Sequence, residues 1–271
     1  MRFLKLSLVS AVAVSLSFSQ TSPQDTKKPT EEKSAVAQEK APGPSPESTA
    51  KATEILKKSM EALGGKALLG IKDIAQSLSL TATTQQGDMQ MEMDITLVLP
   101  NKMAQKISAP FGEIRMAFDG ETGWMTSPMA EGIQDMPEAR IRETKNTLGA
   151  NIYNVFRNLE GPDYVFSYSK VDTIGGKPTH VVKVLHKPSN SSSDYFIDAT
   201  SMTIVKRATV RETQMGKTEV EELYSDYRDV GGTKMPFKIV SMAMGSQQAE
   251  MRFNSIKINT GVKDDVFKKP Q

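Results

Sequence analysis

The residues able to do acid–base, metal or phosphate chemistry are few and poorly spaced for it. The chain has two histidines, His180 and His186, and no cysteine. Zinc sites pair histidines one helical turn apart or draw on cysteine thiolates, and neither pattern is present here. Gly216, Lys217 and Thr218 match the end of a phosphate-binding loop, but the upstream position that must be glycine holds Arg211. A hairpin turn accounts for them better. No Gly-x-Ser-x-Gly elbow offers a serine nucleophile. Glu219 and Glu221 alternate along one strand face in the manner of a solvated surface, and Asp264 with Asp265 suit a closing turn. Tyr224, Tyr227 and Arg228 form either a polar patch or ordinary edge packing. No acid, base and nucleophile converge, so the expectation is a non-enzyme without metal or cofactor, with an unrecognised hydrolase the remotest alternative.

What the sequence does concentrate is one-sided apolar surface. Met89, Met91, Met93, Ile95, Leu97 and Leu99 alternate with Gln90, Glu92, Asp94 and Thr96 until Pro100 ends the run. That is a strand with one wholly apolar face. The preceding strand, from Ile74, puts Leu78, Leu80 and Ala82 on one side and Ser77, Ser79, Thr81 and Thr83 on the other, with a turn at Gln86, Gly87 and Asp88. Sixteen of the 271 residues are methionine. Their flexible thioethers adapt to irregular apolar partners, so Met89, Met91, Met93 and Met116 are either ordinary core or the lining of a ligand cavity. Trp124 suits a cavity rim or a β core equally in kind.

Positioning these faces requires a curled sheet. A helix opens the folded part, with Ile55, Leu56, Met60 and Leu63 on one face, Ser48 or Thr49 as its cap, and Gly64 and Gly65 after its end. Strands follow through Lys102 to Ala109, Glu113 to Phe118 and the segment of Trp124. A helical segment from about Pro137 to Leu159 then carries Ile141, Leu148, Ile152, Val155, Phe156 and Leu159 as one stripe, split near Gly149. Strands resume at Tyr164 and continue to Asn259, separated by glycine turns. An antiparallel sheet of about ten strands cannot stay flat, so the fold class is α+β, mostly β, an incomplete barrel whose concave face the helices cover. Candidate cavity residues are Leu78, Leu80, Met89, Met91, Met93, Ile95, Leu97, Met116, Phe118, Trp124, Leu148, Ile152 and Phe156.

The N-terminus sets the compartment. Arg2 and Lys5 precede an apolar run from Leu6 to Phe18 that is too short to span a bilayer, so residues 1–19 read as a signal peptide cut before Gln20. Residues 20–48 are rich in Pro, Lys, Glu and Ser and read as a disordered linker; residues 49–271 form the β domain. With no cysteine there is neither a disulfide framework nor a lipidation site, which points to a soluble, periplasmic protein touching membranes only transiently. Losing Arg2 and Lys5 takes the formal charge from +2 to zero, which disfavours nucleic acid as a partner.

The order of landmarks resembles the LolA/LolB-like superfamily of periplasmic lipoprotein carriers and outer-membrane lipoprotein-sorting domains. The resemblance rests on "EALGGKALLGIKDI", "LPNKMAQKI", "FDGETGWM", "IGGKPTHVVKV", "YFIDATSMTIVKR", "YSDYRDVGGTKMPFKI" and "INTGVKDDVF", spread over most of Ala52 to Phe267. It implies an incomplete β-barrel with a helical lid over a cavity that shields acyl chains, and no catalytic residues. Two function classes follow: an exported carrier or sensor binding a lipid or acylated protein, or a ligand-free envelope scaffold contacting other envelope proteins. An apolar void of several hundred cubic ångströms favours the first, and a filled concave core the second.

Overall fold

The computed structural model describes residues 43–213 and 216–270. The expected signal peptide, residues 1–19, and the expected linker up to residue 42 lie outside the described residues. The elements in order are α1 (Pro46–Ala62), α2 (Lys66–Leu69), β1 (Asp73–Thr84), β2 (Gly87–Val98), β3 (Lys102–Ala109), β4 (Gly112–Phe118), β5 (Gly123–Ser127) and β6 (Ala130–Asp135). Then come α3 (Glu138–Gly149), α4 (Ile152–Arg157), β7 (Tyr164–Ile174), β8 (Lys177–His186), β9 (Ser191–Asp198) and β10 (Ile204–Thr213). The chain closes with β11 (Gly216–Val230), β12 (Thr233–Ala243), β13 (Ser246–Ile258) and a 3-10 turn, Asp264–Phe267.

All thirteen strands join one antiparallel sheet in the order β6-β5-β4-β3-β2-β1-β13-β12-β11-β10-β9-β8-β7. It is curled but not closed into a barrel. Each half is a simple meander, and β1 and β13 meet at the centre. The edges are β6 and β7, which are consecutive in sequence, so the segment carrying α3 and α4 runs from one edge to the other. Its apolar residues pack on the inner face, as do those of α1.

Several expectations shift in detail. Helix α1 begins earlier than its periodicity suggests, because Ser45 is the cap: its Oγ accepts from the Ser48 N–H at 3.2 Å, and Pro46 occupies the first turn. Ser48, expected as cap, instead bonds both backbone groups of Tyr168 and ties the helix to edge strand β7. The first hairpin turns at Gln85 and Gln86, and Gly87 begins β2 with φ +111. Strand β6 carries Ile133 as its only large apolar residue and gives no sequence signal of a strand. Thirteen strands therefore stand where about ten were expected.

Two apolar clusters share the inner face. One lies over β1–β4, β12 and β13 and includes Leu148 of α3; the other joins α1, α2 and α4 to β7–β10. Two smaller clusters pack on the outer face.

Candidate functional site

Strand register assembles the inner face of the first cluster. Leu80 lies opposite Met91, Leu78 opposite Met93 and Ile74 opposite Leu97 on β1 and β2. Across β3 and β4, Met93 meets Ile107, and Met103 meets Phe118. On the other side Met251 and Phe253 of β13 pair with Leu80 and Leu78. The floor is fully buried at Leu78, Met93 and Phe118, yet Met91, Ile95, Met125, Phe237 and Ile239 are only partly covered. The covering helix explains this. Over its length α3 carries two large apolar residues, Ile141 and Leu148, and only Leu148 is buried. At about 1.5–3 kcal/mol per fully buried side chain, they hold α3 down with roughly 2–5 kcal/mol.

The thirteen candidate residues from the sequence divide four ways. Leu78, Leu80, Met93, Leu97, Met116, Phe118 and Leu148 belong to this cluster, with Met91 and Ile95 packed against it. Met89 is half-buried at the far end of β2. Ile152 and Phe156 join the second cluster, beneath α1. Trp124 is the correction: it pairs with Ala117, which faces away from Met116 and Phe118, so it lies on the outer face. There it packs against Phe267 and donates from Nε1 to the Phe267 carbonyl at 3.0 Å. It is an anchor for the C-terminal turn.

The inner face also carries polar groups that sequence patterning did not single out. Gln105 lies between Ile95 and Met116; it is buried, and its Oε1 has no hydrogen-bond partner. A larger group lies under the junction of α3 and α4. Arg207 of β10 faces Glu222 of β11, with Nη2 donating to Oε1 at 2.9 Å. Tyr224 Oη donates to the other carboxylate oxygen, and Arg211 Nη2 stands 3.7 Å from Oε1. Burial opposes ionisation of both partners, but their mutual attraction and hydrogen bonds prevail: Glu222 is held below the usual carboxylate range and Arg207 above its ordinary value. Arg207 Nη1 and Tyr195 Oη both donate to the Ala150 carbonyl, and Tyr164 Oη to that of Gly149. Three donors thus take the carbonyls at the C-terminal end of α3, which carries partial negative charge. Gly149 permits the approach, since a Cβ there would lie 2.3 Å from His186 Nδ1. Of the two readings of Tyr224, Tyr227 and Arg228, a polar patch or ordinary edge packing, the patch does not form. Tyr227 bonds the Ile204 carbonyl, and Arg228 pairs with exposed Asp226.

Two open pockets stand out among the described residues. One, of about 260 Å³, is lined by Gln90, Met91, Glu92, Ser108, Ala109 and Pro110, where β2 runs past the end of β3. The other, of about 290 Å³, lies by Glu219, Glu221, Met242 and Met244.

Together these features define an open antiparallel sheet, curled around an apolar face and bridged by helices. Solved structures share that fold. The chain is similar to a LolA superfamily protein from Nitrosomonas europaea, with a TM-score of 0.56 and 10% identity over 80% of this chain and 98% of that one. It is similar to a domain from Vibrio parahaemolyticus described as an outer membrane lipoprotein-sorting protein domain, with a TM-score of 0.54 and 13% identity over 82% and 97%. A DUF1329 family protein from Desulfovibrio piger aligns with a TM-score of 0.56 and 7% identity over 82% and 97%. No family model and no curated protein matches the sequence. Among the described residues, no helix is long and apolar enough to cross a membrane.

Proposed function

We propose that the protein is an exported, periplasmic carrier or sensor that takes a lipid or the acyl chain of an acylated protein between its inner face and α3–α4. One observation carries the reading: the track Met91, Ile95, Met125 and Ile239 is apolar, lies on the inner face and is only partly buried. The fold shared with a LolA superfamily protein and a lipoprotein-sorting domain supports the same reading. The Ala150 carbonyl at the end of α3 is held by Arg207 and Tyr195, so a ligand reaching those donors displaces α3. Burying about fourteen methylenes at about 0.8 kcal/mol each offers roughly 11 kcal/mol, against an association cost of about 4 to 15. The net is a modest, reversible affinity, as a carrier requires.

Titrating a fluorescent fatty acid onto the mature protein tests this. Wild type binds saturably in the micromolar range, and Met91→Trp and Ile239→Trp, which fill the track without adding charge, bind weakly while remaining folded. A folded wild type without saturable binding, or filled variants that bind as it does, overturns the carrier reading. The ligand-free envelope scaffold then takes its place.

A further inference from the structure

The cluster beneath the α3–α4 junction has a chemistry the apolar track lacks. Two guanidiniums, Arg207 and Arg211, approach the single carboxylate of Glu222. The Arg207 side chain is 11% exposed, and its Nε is buried without a hydrogen-bond partner. Arg207 Nη1 and Tyr195 Oη converge from different strands on one oxygen, the Ala150 carbonyl, at 3.0 and 2.5 Å. In this structure that oxygen belongs to the negative end of a helix. Donors converging on one oxygen beside a cationic pair are also the arrangement that holds a carboxylate.

The register connects this cluster to the apolar track. Along one inner-face row Arg207 pairs with Glu222, Glu222 with Ser241, Ser241 with Ala249, Ala249 with Ala82 and Ala82 with Met89. The adjacent row runs from Tyr224 through Ile239, Met251 and Leu80 to Met91. From Glu222 to Met89 the path crosses four strand spacings of about 4.8 Å, roughly 19 Å. That is close to the length of an extended hexadecanoyl chain. Polar donors thus stand at one end of the rows and methionines at the other, with small or aliphatic side chains between.

We propose that Arg207, Tyr195 and Arg211 recognise the carboxylate of a free fatty acid, which takes the place of the Ala150 carbonyl when α3 is displaced, while the chain runs along these rows toward Met89 and Met91. The inference rests on the carrier reading and names its ligand class: an anionic single-chain amphiphile rather than a neutral one. It also links recognition to opening, because the head group competes with α3 for the same donors.

Palmitate and hexadecanol share a chain and differ in charge, so their affinities separate head from tail. Each is titrated below its aggregation concentration, at a pH that keeps the carboxylate ionised, by displacing a fluorescent acyl probe. Wild type binds palmitate at least about tenfold more tightly than hexadecanol. In Arg211→Gln, and in the double variant Arg207→Met with Glu222→Met, which removes the buried pair together and leaves no lone charge, the ratio falls toward one. Hexadecanol affinity does not fall, and rises where Arg207 no longer holds the Ala150 carbonyl, whereas a merely structural loss would lower both affinities. If wild type binds both equally, the carboxylate site is wrong while the carrier reading stands. If the folded variants keep the preference for palmitate, these arginines are not its source. If neither compound binds, the carrier reading fails and this inference with it.

Discussion

The two inner-face clusters are built on the same sheet but held in different ways. Beneath α1, packing is closed: Ala52, Leu56, Val155, Val182 and Ile197 have no exposed surface. Hydroxyls tie the elements together, with Tyr164, Tyr195 and Tyr227 donating to backbone carbonyls. Arg157 binds the carbonyls of Leu68, Leu69 and Ile71, locking α4 to the turn before β1. Over β1–β4 and β12–β13 the side chains are largely methionine and aliphatic, and α3 covers them with little apolar surface of its own. One half packs under α1, α2 and α4, and the other presents adaptable methionine surface beneath a helix with two large apolar side chains.

The largest expected contrast is in stability. Leu56→Ala cuts a cavity in the closed half and lowers unfolding free energy by about 2–5 kcal/mol, whereas Met91→Leu, at a partly covered position, changes it by less than about 1.5. Denaturant melts of the two variants check this. Equal losses would mean that the methionine face is packed as tightly as the closed half.

A smaller contrast concerns pH. Both histidines lie on β8, in the closed half. Burial, with Lys51 and Lys58 nearby, holds His180 below its ordinary value; burial does the same to His186, only partly opposed by Asp163. The unfolded chain therefore takes up these protons first as pH falls. Their contribution to stability is complete above the unfolded value of about 6.5 and is lost as pH falls through the folded values. Amide hydrogen exchange, corrected for intrinsic rates, is expected to show β7–β9 loosening between about pH 7 and 5.5 while β1–β3, which has no histidine, does not. Parallel loosening of both halves would remove this distinction.

How far each half could be read from sequence follows from what patterning records. The register of β2 was legible because six apolar residues alternate without a break, and Pro137 and Gly149 marked the limits of α3. Trp124 was misplaced because alternation shows which residues share a face, not which face is inner. That is settled by its partner Ala117 on another strand. Ser45 signals a helix start, but it sits at the end of a segment whose composition reads as linker. Arg207 and Glu222 each look like surface residues. Only the β10–β11 register brings them together, and only the bridging segment buries them.

The methionines themselves offer the most direct measurement. With methyl-labelled methionine, palmitate is expected to shift the signals of Met89, Met91 and Met251, which lie on the two inner-face rows. It should leave Met60 and Met202, in the closed half, and exposed Met129 and Met244 unchanged. Saturable shifts confined to the first group are the result this account predicts. Shifts confined to Met60 and Met202, or no saturable shift in a folded protein, would contradict it.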